Sequence, residues 1–231
     1  MQFLTLLPLP DWLALAWFFF AWAAYTRFSR AYSSKRPSVH ATAKEFRYQW
    51  MVNATYREPR VLDGIINQSM SATPSFFSST SIIVIGGLFA VLGATDKAAE
   101  LVREIPFAVR TTVLVFDLKV LVLIGIFVHA FFRFSWSMRQ YTFVAMLVGA
   151  MPHAKDFEAG KFDREQHARR AAAMVDLAAE TFGDGLRAYY MAFAAMVWFF
   201  SPVAFFFATI VVILILFNRD FRSDVLTVLR H

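Results

Sequence analysis

Polar residues that could bind a ligand lie within two long apolar segments of the sequence. They are Ser71, Ser75, Ser78, Ser79, His129 and Arg133. In an α-helix the i, i+4, i+7 spacing of the first three puts their hydroxyl groups on one face, and His129 shares a face with Arg133 four positions later. Polar groups at membrane depth are costly in lipid and by default indicate function. The spacing therefore predicts a polar intramembrane cluster that meets a small solute or ion.

Structural roles for the same residues are the alternative. Serine hydroxyls let membrane helices approach and bond across them, and a neutral imidazole at His129 can bond to a serine hydroxyl. Arg133 can extend to the phosphate headgroups at the membrane interface. Small residues at close to small-xxx-small spacing also predict a helix-packing surface. They are Gly86, Gly87, Ala90 and Gly93.

No pattern in the sequence predicts an enzyme. The chain has no Cys, which excludes thiolate catalysis and Cys-based metal sites, and it has neither a Gly-rich phosphate loop nor a G-x-S-x-G motif. One cluster of potential metal ligands has a spacing that fits no metal site and indicates a solvated charged loop. Its members are His153, Asp156, Glu158, Asp163, Glu165 and His167. We therefore expect no catalytic residue, no bound metal and no cofactor.

The elements that position these residues are membrane helices. Hydrophobic residues make up 58% of the chain, and the thirty residues from Ala188 to Phe217 contain no Asp, Glu, Lys or Arg. A helix of that length would measure about 45 Å, longer than the hydrocarbon core of a bilayer. We predict an all-α integral membrane protein, with one membrane domain over residues 1–231. Four transmembrane helices are expected at about 9–28, 76–94, 112–134 and 189–217, the last kinked at Pro202.

Basic residues are unevenly distributed between these spans. The connection from residue 27 to 63 carries eight basic residues against three acidic ones, the connection at 133–187 again carries eight, and the one between them is balanced. The positive-inside rule then places both basic connections in the cytoplasm and both termini outside. Hydrophobic spacing predicts helical cytoplasmic segments at about 41–72 and 138–187, including an amphipathic helix ended by Gly183-Asp184-Gly185. No Lys or Arg precedes Arg27, so the first span is expected to be retained and not cleaved.

Three blocks of the sequence resemble a known family. They are Val61 to Gly93 (VLDGIINQSMSATPSFFSSTSIIVIGGLFAVLG), Phe131 to Pro152 (FFRFSWSMRQYTFVAMLVGAMP) and Gly185 to Phe217 (GLRAYYMAFAAMVWFFSPVAFFFATIVVILILF). In this order they are similar to the bacterial branch of the integral membrane proteins grouped as domain of unknown function 599. The resemblance implies four membrane helices with helical cytoplasmic segments. That family has no assigned activity, so the resemblance implies no catalytic residue.

Two functional classes fit these patterns. The first is a non-enzymatic, multi-pass binding or permeation protein of the bacterial inner membrane, monomeric or homo-oligomeric, with its polar cluster on the cytoplasmic side. The second is a structural or accessory subunit of a larger membrane complex. Anionic lipid headgroups are the expected partners of the basic segments, because the basic residues there alternate with aromatic anchors close to membrane ends. The same alternation argues against nucleic-acid binding.

Overall fold

The computed structural model describes residues 7–33, 38–103 and 112–230, which are helical and contain no strand. Within those ranges the helices, in chain order, are α1 (Leu9–Ser33), α2 (Val39–Ala54), α3 (Val61–Gly93), α4 (Thr95–Arg103), α5 (Val113–Gly149), α6 (Ala154–Glu158), α7 (Arg164–Val197), α8 (Pro202–Phe221) and α9 (Asp224–Arg230). The all-helical prediction is confirmed for this part of the chain.

Three of the described helical segments are long and apolar enough to cross a bilayer. They are α3, α5 and the stretch Pro202–Arg230 that begins with α8. The prediction of four spans is thus corrected to three. The first predicted span corresponds to α1, which contains Asp11 and the amphipathic side chains of Trp12, Trp17, Trp22 and Tyr25. These residues lower its mean hydropathy below that of an aliphatic span.

Two predicted helix boundaries differ from the observed ones. The apolar stretch after residue 140 extends α5 to Gly149, so the third predicted span is the first part of a helix of 37 residues. The Gly183-Asp184-Gly185 sequence does not end a helix, because α7 continues through it to Val197. Gly185 instead permits a close approach, since a Cβ there would lie 2.5 Å from the ring of the buried Phe134.

The contacts divide the chain into two compact units. Unit 1 comprises residues 1–32, 80–130 and 186–219, and unit 2 comprises residues 33–79, 131–185 and 220–231. Each of the long helices α3, α5 and α7 has one part in unit 1 and another part in unit 2.

Within unit 1, α1 and α5 run in the same direction. Asp11, near the start of α1, lies 3.6 Å from the ammonium of Lys119, and Trp22, further along α1, meets His129, further along α5. The unit 1 part of α3 is antiparallel to α5. Its residues Ile85 to Leu92 pack on the buried Phe116, Val120 and Ile124, and Thr95, just beyond its end, bonds to Asp117 near the start of α5.

The uncharged run from 188 to 217 forms a helical hairpin in unit 1. α7 ends at Val197, a turn follows, and α8 begins at Pro202. The end of α8 returns to the unit 1 part of α7, because the guanidinium of Arg219 lies 5.0 Å from the ring centroid of Tyr190. The amide of Val203 donates to the hydroxyl of Ser201 at 3.2 Å, and proline suits the first position of a helix because its missing N–H would have no partner there.

The hairpin gives α8 the same direction as α1. Trp17 stacks on Phe206 with ring centroids 4.9 Å apart, and Phe28, eleven residues later in α1, lies 6.4 Å from Phe217, eleven residues later in α8. The start of α1 and the end of α8 therefore lie at opposite ends of unit 1. The membrane orientation of the two ends of the chain stays a prediction.

Unit 2 has its own hydrophobic core. Small and branched residues of α7 at helical spacing, Ala168, Ala171, Val175 and Ala178, are buried against Val144 of α5 and Met51 of α2. Polar bonds tie the same helices together: Arg47 of α2 pairs with Asp176 of α7 at 2.7 Å, and the hydroxyl of Ser137 on α5 donates to the carbonyl of Ala178 at 2.8 Å. The short α9 packs against α2.

Candidate functional site

Two residues of the predicted serine face, Ser71 and Ser78, form separate local hydrogen bonds in unit 2. The hydroxyl of Ser71 donates to a backbone carbonyl one turn earlier in its own helix at 3.0 Å. Ser78 Oγ lies 2.9 Å from Ser135 Oγ on α5. Ser75 is half-buried and Ser79 is exposed. The hydroxyl pair between α3 and α5 fits the packing alternative for Ser78.

The other two members of the predicted cluster have different surroundings. Arg133 forms an ion pair with Asp184 of α7, within unit 2. His129 belongs to unit 1, where its ring meets the indole of Trp22 edge-on with centroids 5.7 Å apart. The serines and Arg133 thus belong to one unit and His129 to the other.

His129 lines a groove between α1 and α5 that holds about 690 Å³. The α1 face of the groove contributes Phe19, Trp22, Ala23, Thr26, Arg27 and Arg30, and the α5 face contributes Val122, Gly125, Ile126 and His129. Both sets recur at three- and four-residue intervals, as expected for single faces of two neighbouring helices. Because the two helices are parallel, the earlier lining residues of both lie at one end of the groove and the later ones of both lie at the other end.

The two ends of the groove differ in polarity. Phe19 and Val122 form the apolar end, whereas Arg27 and Arg30 form the other. The helical rise separates Phe19 from Arg30 by about 16 Å along α1. None of the lining residues is acidic. Arg27 is exposed and forms no ion pair with any residue in the described ranges.

Gly125 leaves space in the middle of the groove. A Cβ at this position would have no heavy atom within 4 Å. The groove is therefore open where an ordinary helical side chain would stand, one turn before His129 on α5. Aliphatic and aromatic walls that end in arginines suit a molecule with an apolar chain and an anionic head.

The family profile described as "Protein of unknown function, DUF599" matches residues 13–225. The chain belongs to this family. The resemblance of the three sequence blocks is confirmed. No curated protein and no solved structure matches the chain.

A network of three polar residues is nearly fully buried in unit 1 of this DUF599 protein. The indole of Trp198 donates to Asp11 Oδ1 at 2.7 Å, and the ammonium of Lys119 donates to the Trp198 carbonyl at 2.8 Å. Asp11 and Lys119 are also 3.6 Å apart, with side chains 6% and 2% exposed. The turn after Val197 removes Trp198 from the helix, so its carbonyl needs this partner. The pairing of Lys119 with Asp11 has no signal in the sequence, because the two residues belong to different helices.

The charged loop of unit 2 is organised in pairs. His153 Nδ1 lies 2.9 Å from Glu58 Oε1, Lys161 donates to Asp156 at 3.0 Å, and Glu165 pairs with Arg169 one turn later. Within the described ranges no group of three or more His, Cys, Asp or Glu side chains is placed to hold a metal ion.

The predicted helix-packing residues lie on the exposed side of α3. Gly86, Gly87, Ala90 and Gly93 are all exposed. Among the described residues, no atom of another element lies within 4 Å of a Cβ built on any of the three glycines. Their role in packing against another molecule stays a prediction.

Proposed function

We propose that this DUF599 protein is a non-enzymatic membrane protein that binds an anionic amphiphile in the groove between α1 and α5. The observation that supports it most directly is the polarity of that groove. Its apolar end accommodates an acyl chain, and Arg27 and Arg30 lie where the anionic head would be. Arginine suits carboxylate and phosphate heads because its guanidinium donates two parallel hydrogen bonds.

The polar groups at the end of unit 1 where α1 begins favour binding over permeation. The polar groups there, Asp11, Lys119 and the indole of Trp198, are bonded to one another and almost fully buried. A water-filled path needs polar groups that face it across both leaflets. Polar groups used in this way are better suited to holding helices together than to lining a path.

The charge distribution supports a specific orientation in the cytoplasmic membrane. Arg27 and Arg30 near the end of α1 and Arg219 near the end of α8 lie at one end of unit 1, because the two helices run in parallel. The positive-inside rule places this end at the cytoplasmic face. The start of α1 then lies outside, the end of α8 lies in the cytoplasm, and the anionic head is bound at the inner leaflet. α1 packs along both α5 and α8.

A substitution that fills the groove tests the proposal. Gly125→Leu should occupy the open space without a clash, because a Cβ there meets nothing within 4 Å. Gly86→Leu on α3 is the matched control: it is also an exposed helical glycine of unit 1 with open space around it, and it does not line the groove. Both substitutions remove the same helix-weakening residue, so folded yield should be similar.

Binding is measured by native mass spectrometry in mild detergent with added dodecanoate or phosphatidylglycerol. We expect a retained adduct in the parent protein and in Gly86→Leu, and its loss in Gly125→Leu. Arg27→Gln combined with Arg30→Gln should weaken the anionic adduct and leave dodecanol binding unchanged. Retention of dodecanoate alone identifies a free carboxylate as the ligand, and retention of phosphatidylglycerol identifies a phospholipid. Equal adducts in all variants, or none in the parent, would contradict the proposal.

The exposed surface of α3 supports the second candidate, an accessory subunit of a membrane complex. Only 11% of its most apolar window is buried within the chain, and Ile82, Ile83 and Phe89 are exposed. The same mass spectra report oligomeric state and bound proteins. A fixed protein partner without any amphiphile adduct would favour this second function.

A further inference from the structure

A cavity of about 490 Å³ lies in unit 2 where the chain passes from the end of α8 into α9. Its lining residues are Phe221, Arg222, Ser223, Leu226, Thr227 and Arg230. Pockets that hold small molecules begin at about 300 Å³, so this cavity has room for a ligand larger than a single ion. It shares no residue with the groove between α1 and α5, and the proposed function leaves it unused.

The polar side chains of this cavity are two arginines and two hydroxyls. Among the residues that the structure describes, no acidic one lines it. Asp220 and Asp224 are close to Arg222 in sequence, but neither belongs to the wall. An arginine only donates hydrogen bonds, and a hydroxyl can donate one as well. The cavity therefore offers donors and positive charge, which suit an anion.

The groups that would meet a ligand keep accessible surface. Arg222, Thr227 and Arg230 are all exposed. Arg230 forms no ion pair with any residue in the described part of the chain. A ligand can therefore reach the guanidiniums and the threonine hydroxyl from the solvent without displacing a packed side chain.

The short helix α9 brings three of the lining residues to one side. Leu226, Thr227 and Arg230 stand at positions i, i+1 and i+4, which lie on one face of a helix. Leu226 is buried, and α9 packs against α2. This burial fixes the rotation of α9 about its axis, and Arg222 reaches the same cavity from the turn before α9.

Two arginines in one cavity favour a phosphate group over a carboxylate. One guanidinium already matches both oxygens of a carboxylate with two parallel hydrogen bonds. A phosphate monoester carries three strong acceptor oxygens and a charge of about −1.5 to −2 at neutral pH, so a second guanidinium still finds an acceptor. The rings and methyl groups of Phe221 and Leu226 add apolar wall for a small organic body.

We propose that this cavity binds the phosphate group of a phosphomonoester, with Arg222 and Arg230 as its charged donors and the hydroxyl of Thr227 as a third. The phosphate belongs either to a small water-soluble compound or to the headgroup of a phospholipid, because both present the same group to the arginines. The site lies in unit 2, and it does not depend on the amphiphile groove of unit 1.

Thr227→Glu and Thr227→Gln form a matched pair at the wall of the cavity. The two new side chains have nearly the same shape, and both suit an exposed helical position. Only the glutamate puts a negative charge beside the arginines, where it repels a phosphate group.

Arg230→Gln removes one of the two cations without breaking an ion pair within the described residues. Its control is Arg170→Gln, which changes an exposed arginine of α7 in unit 2 that does not line the cavity. Gly125→Leu fills the groove of unit 1 and separates this site from the proposed function.

The full-length protein in mild detergent is titrated calorimetrically with glycerol 3-phosphate, phosphatidic acid and acetate. We expect saturable heat with at least one of the two phosphate compounds, unchanged in Thr227→Gln, Arg170→Gln and Gly125→Leu. Thr227→Glu and Arg230→Gln should weaken it about tenfold or more, as for loss of a charge-assisted hydrogen bond. Binding of glycerol 3-phosphate identifies a water-soluble ligand, and binding of phosphatidic acid alone identifies a lipid headgroup.

Three results would overturn the proposal. The first is that neither phosphate compound binds to the parent protein. The second is that a folded Arg230→Gln or Thr227→Glu variant binds as tightly as the parent, which places the phosphate elsewhere on the molecule. The third is that acetate binds as tightly as the phosphate compounds, since a carboxylate then satisfies the cavity equally well.

Discussion

The guanidinium of Arg219, near the end of α8, lies over the ring of Tyr190 on α7, 5.0 Å from its centroid. The end of α7, a turn and most of α8 separate the two residues in sequence. This contact closes the open end of the α7–α8 hairpin. It also brings the arginine of α8 to the end of unit 1 where α1 carries Arg27 and Arg30. The direction of α8, and with it the proposed location of the C-terminal segment, depends on this hairpin.

Single cysteines test the orientation, since the chain contains no Cys of its own. Leu9→Cys marks the start of α1, and Asn218→Cys marks the end of α8; both residues are exposed. A membrane-impermeant maleimide should label Leu9→Cys in intact cells and Asn218→Cys only in inverted vesicles. Labelling of both positions from the same side would contradict the proposed orientation of unit 1.

The sequence predicts which residues are helical better than it predicts where the chain reverses direction between two helices. A run without charges shows that its residues can lie in lipid, but it does not show whether one long helix or two shorter ones will form. A local signal was present: Ser201 followed by Pro202 is the pattern of a helix start, and it was interpreted as a kink. Gly185 similarly predicts a helix end, although in the structure it accommodates the ring of Phe134.

The candidate sites were less predictable for a different reason. His129 was singled out from its own helix, but its groove depends on α1, whose face at Trp22 and Arg30 is specified by residues a hundred positions away. No motif in the sequence indicates that Asp63 is buried. Its burial beneath Trp50 and Arg57 follows from the packing of α2, which hydrophobic spacing does not describe.

Lys119→Met should destabilise unit 1 strongly. It leaves the buried Asp11 with the Trp198 indole as its remaining bond and removes the donor to the Trp198 carbonyl. Breaking a buried ion pair on one side typically costs about 3–5 kcal/mol. Lys97→Met on α4, where the side chain is exposed, should cost much less.

Unfolding by sodium dodecyl sulfate, followed by tryptophan fluorescence, measures both variants. The double change Asp11→Asn with Lys119→Met should recover part of the loss, because no unpaired charge remains. If Lys119→Met and Lys97→Met unfold at the same mole fraction of sodium dodecyl sulfate, the buried network of Asp11, Lys119 and Trp198 does not stabilise the fold.

Gly185→Ala should destabilise unit 2 by steric overlap. The added Cβ would lie 2.5 Å from the Phe134 ring, which is 0% exposed and in contact with the rings of Phe77 and Phe182. Overpacking of this kind costs about 1–3 kcal/mol. Gly64→Ala is the control, because it makes the same change in a helix of unit 2 where a Cβ meets nothing within 4 Å, and it should be neutral or slightly stabilising. The midpoint of thermal unfolding decides; equal midpoints would show that the Phe134 ring moves aside without cost.

Acid should loosen the contact between Glu58 and the start of α6. The Ala154 N–H donates to the Glu58 carboxylate and lowers its pKa in the folded protein. A carboxyl whose folded pKa lies below its unfolded one stabilises the fold above the unfolded value, and this contribution is lost as the pH falls through the folded value. Hydrogen–deuterium exchange at the Ala154 amide should therefore show protection at neutral pH that declines below the usual carboxyl range.

Glu58→Gln should lack that pH-dependent protection, whereas Glu158→Gln, at an exposed position in α6, should retain it. Identical protection in the parent and Glu58→Gln at neutral pH would exclude this carboxylate as the group that holds α6.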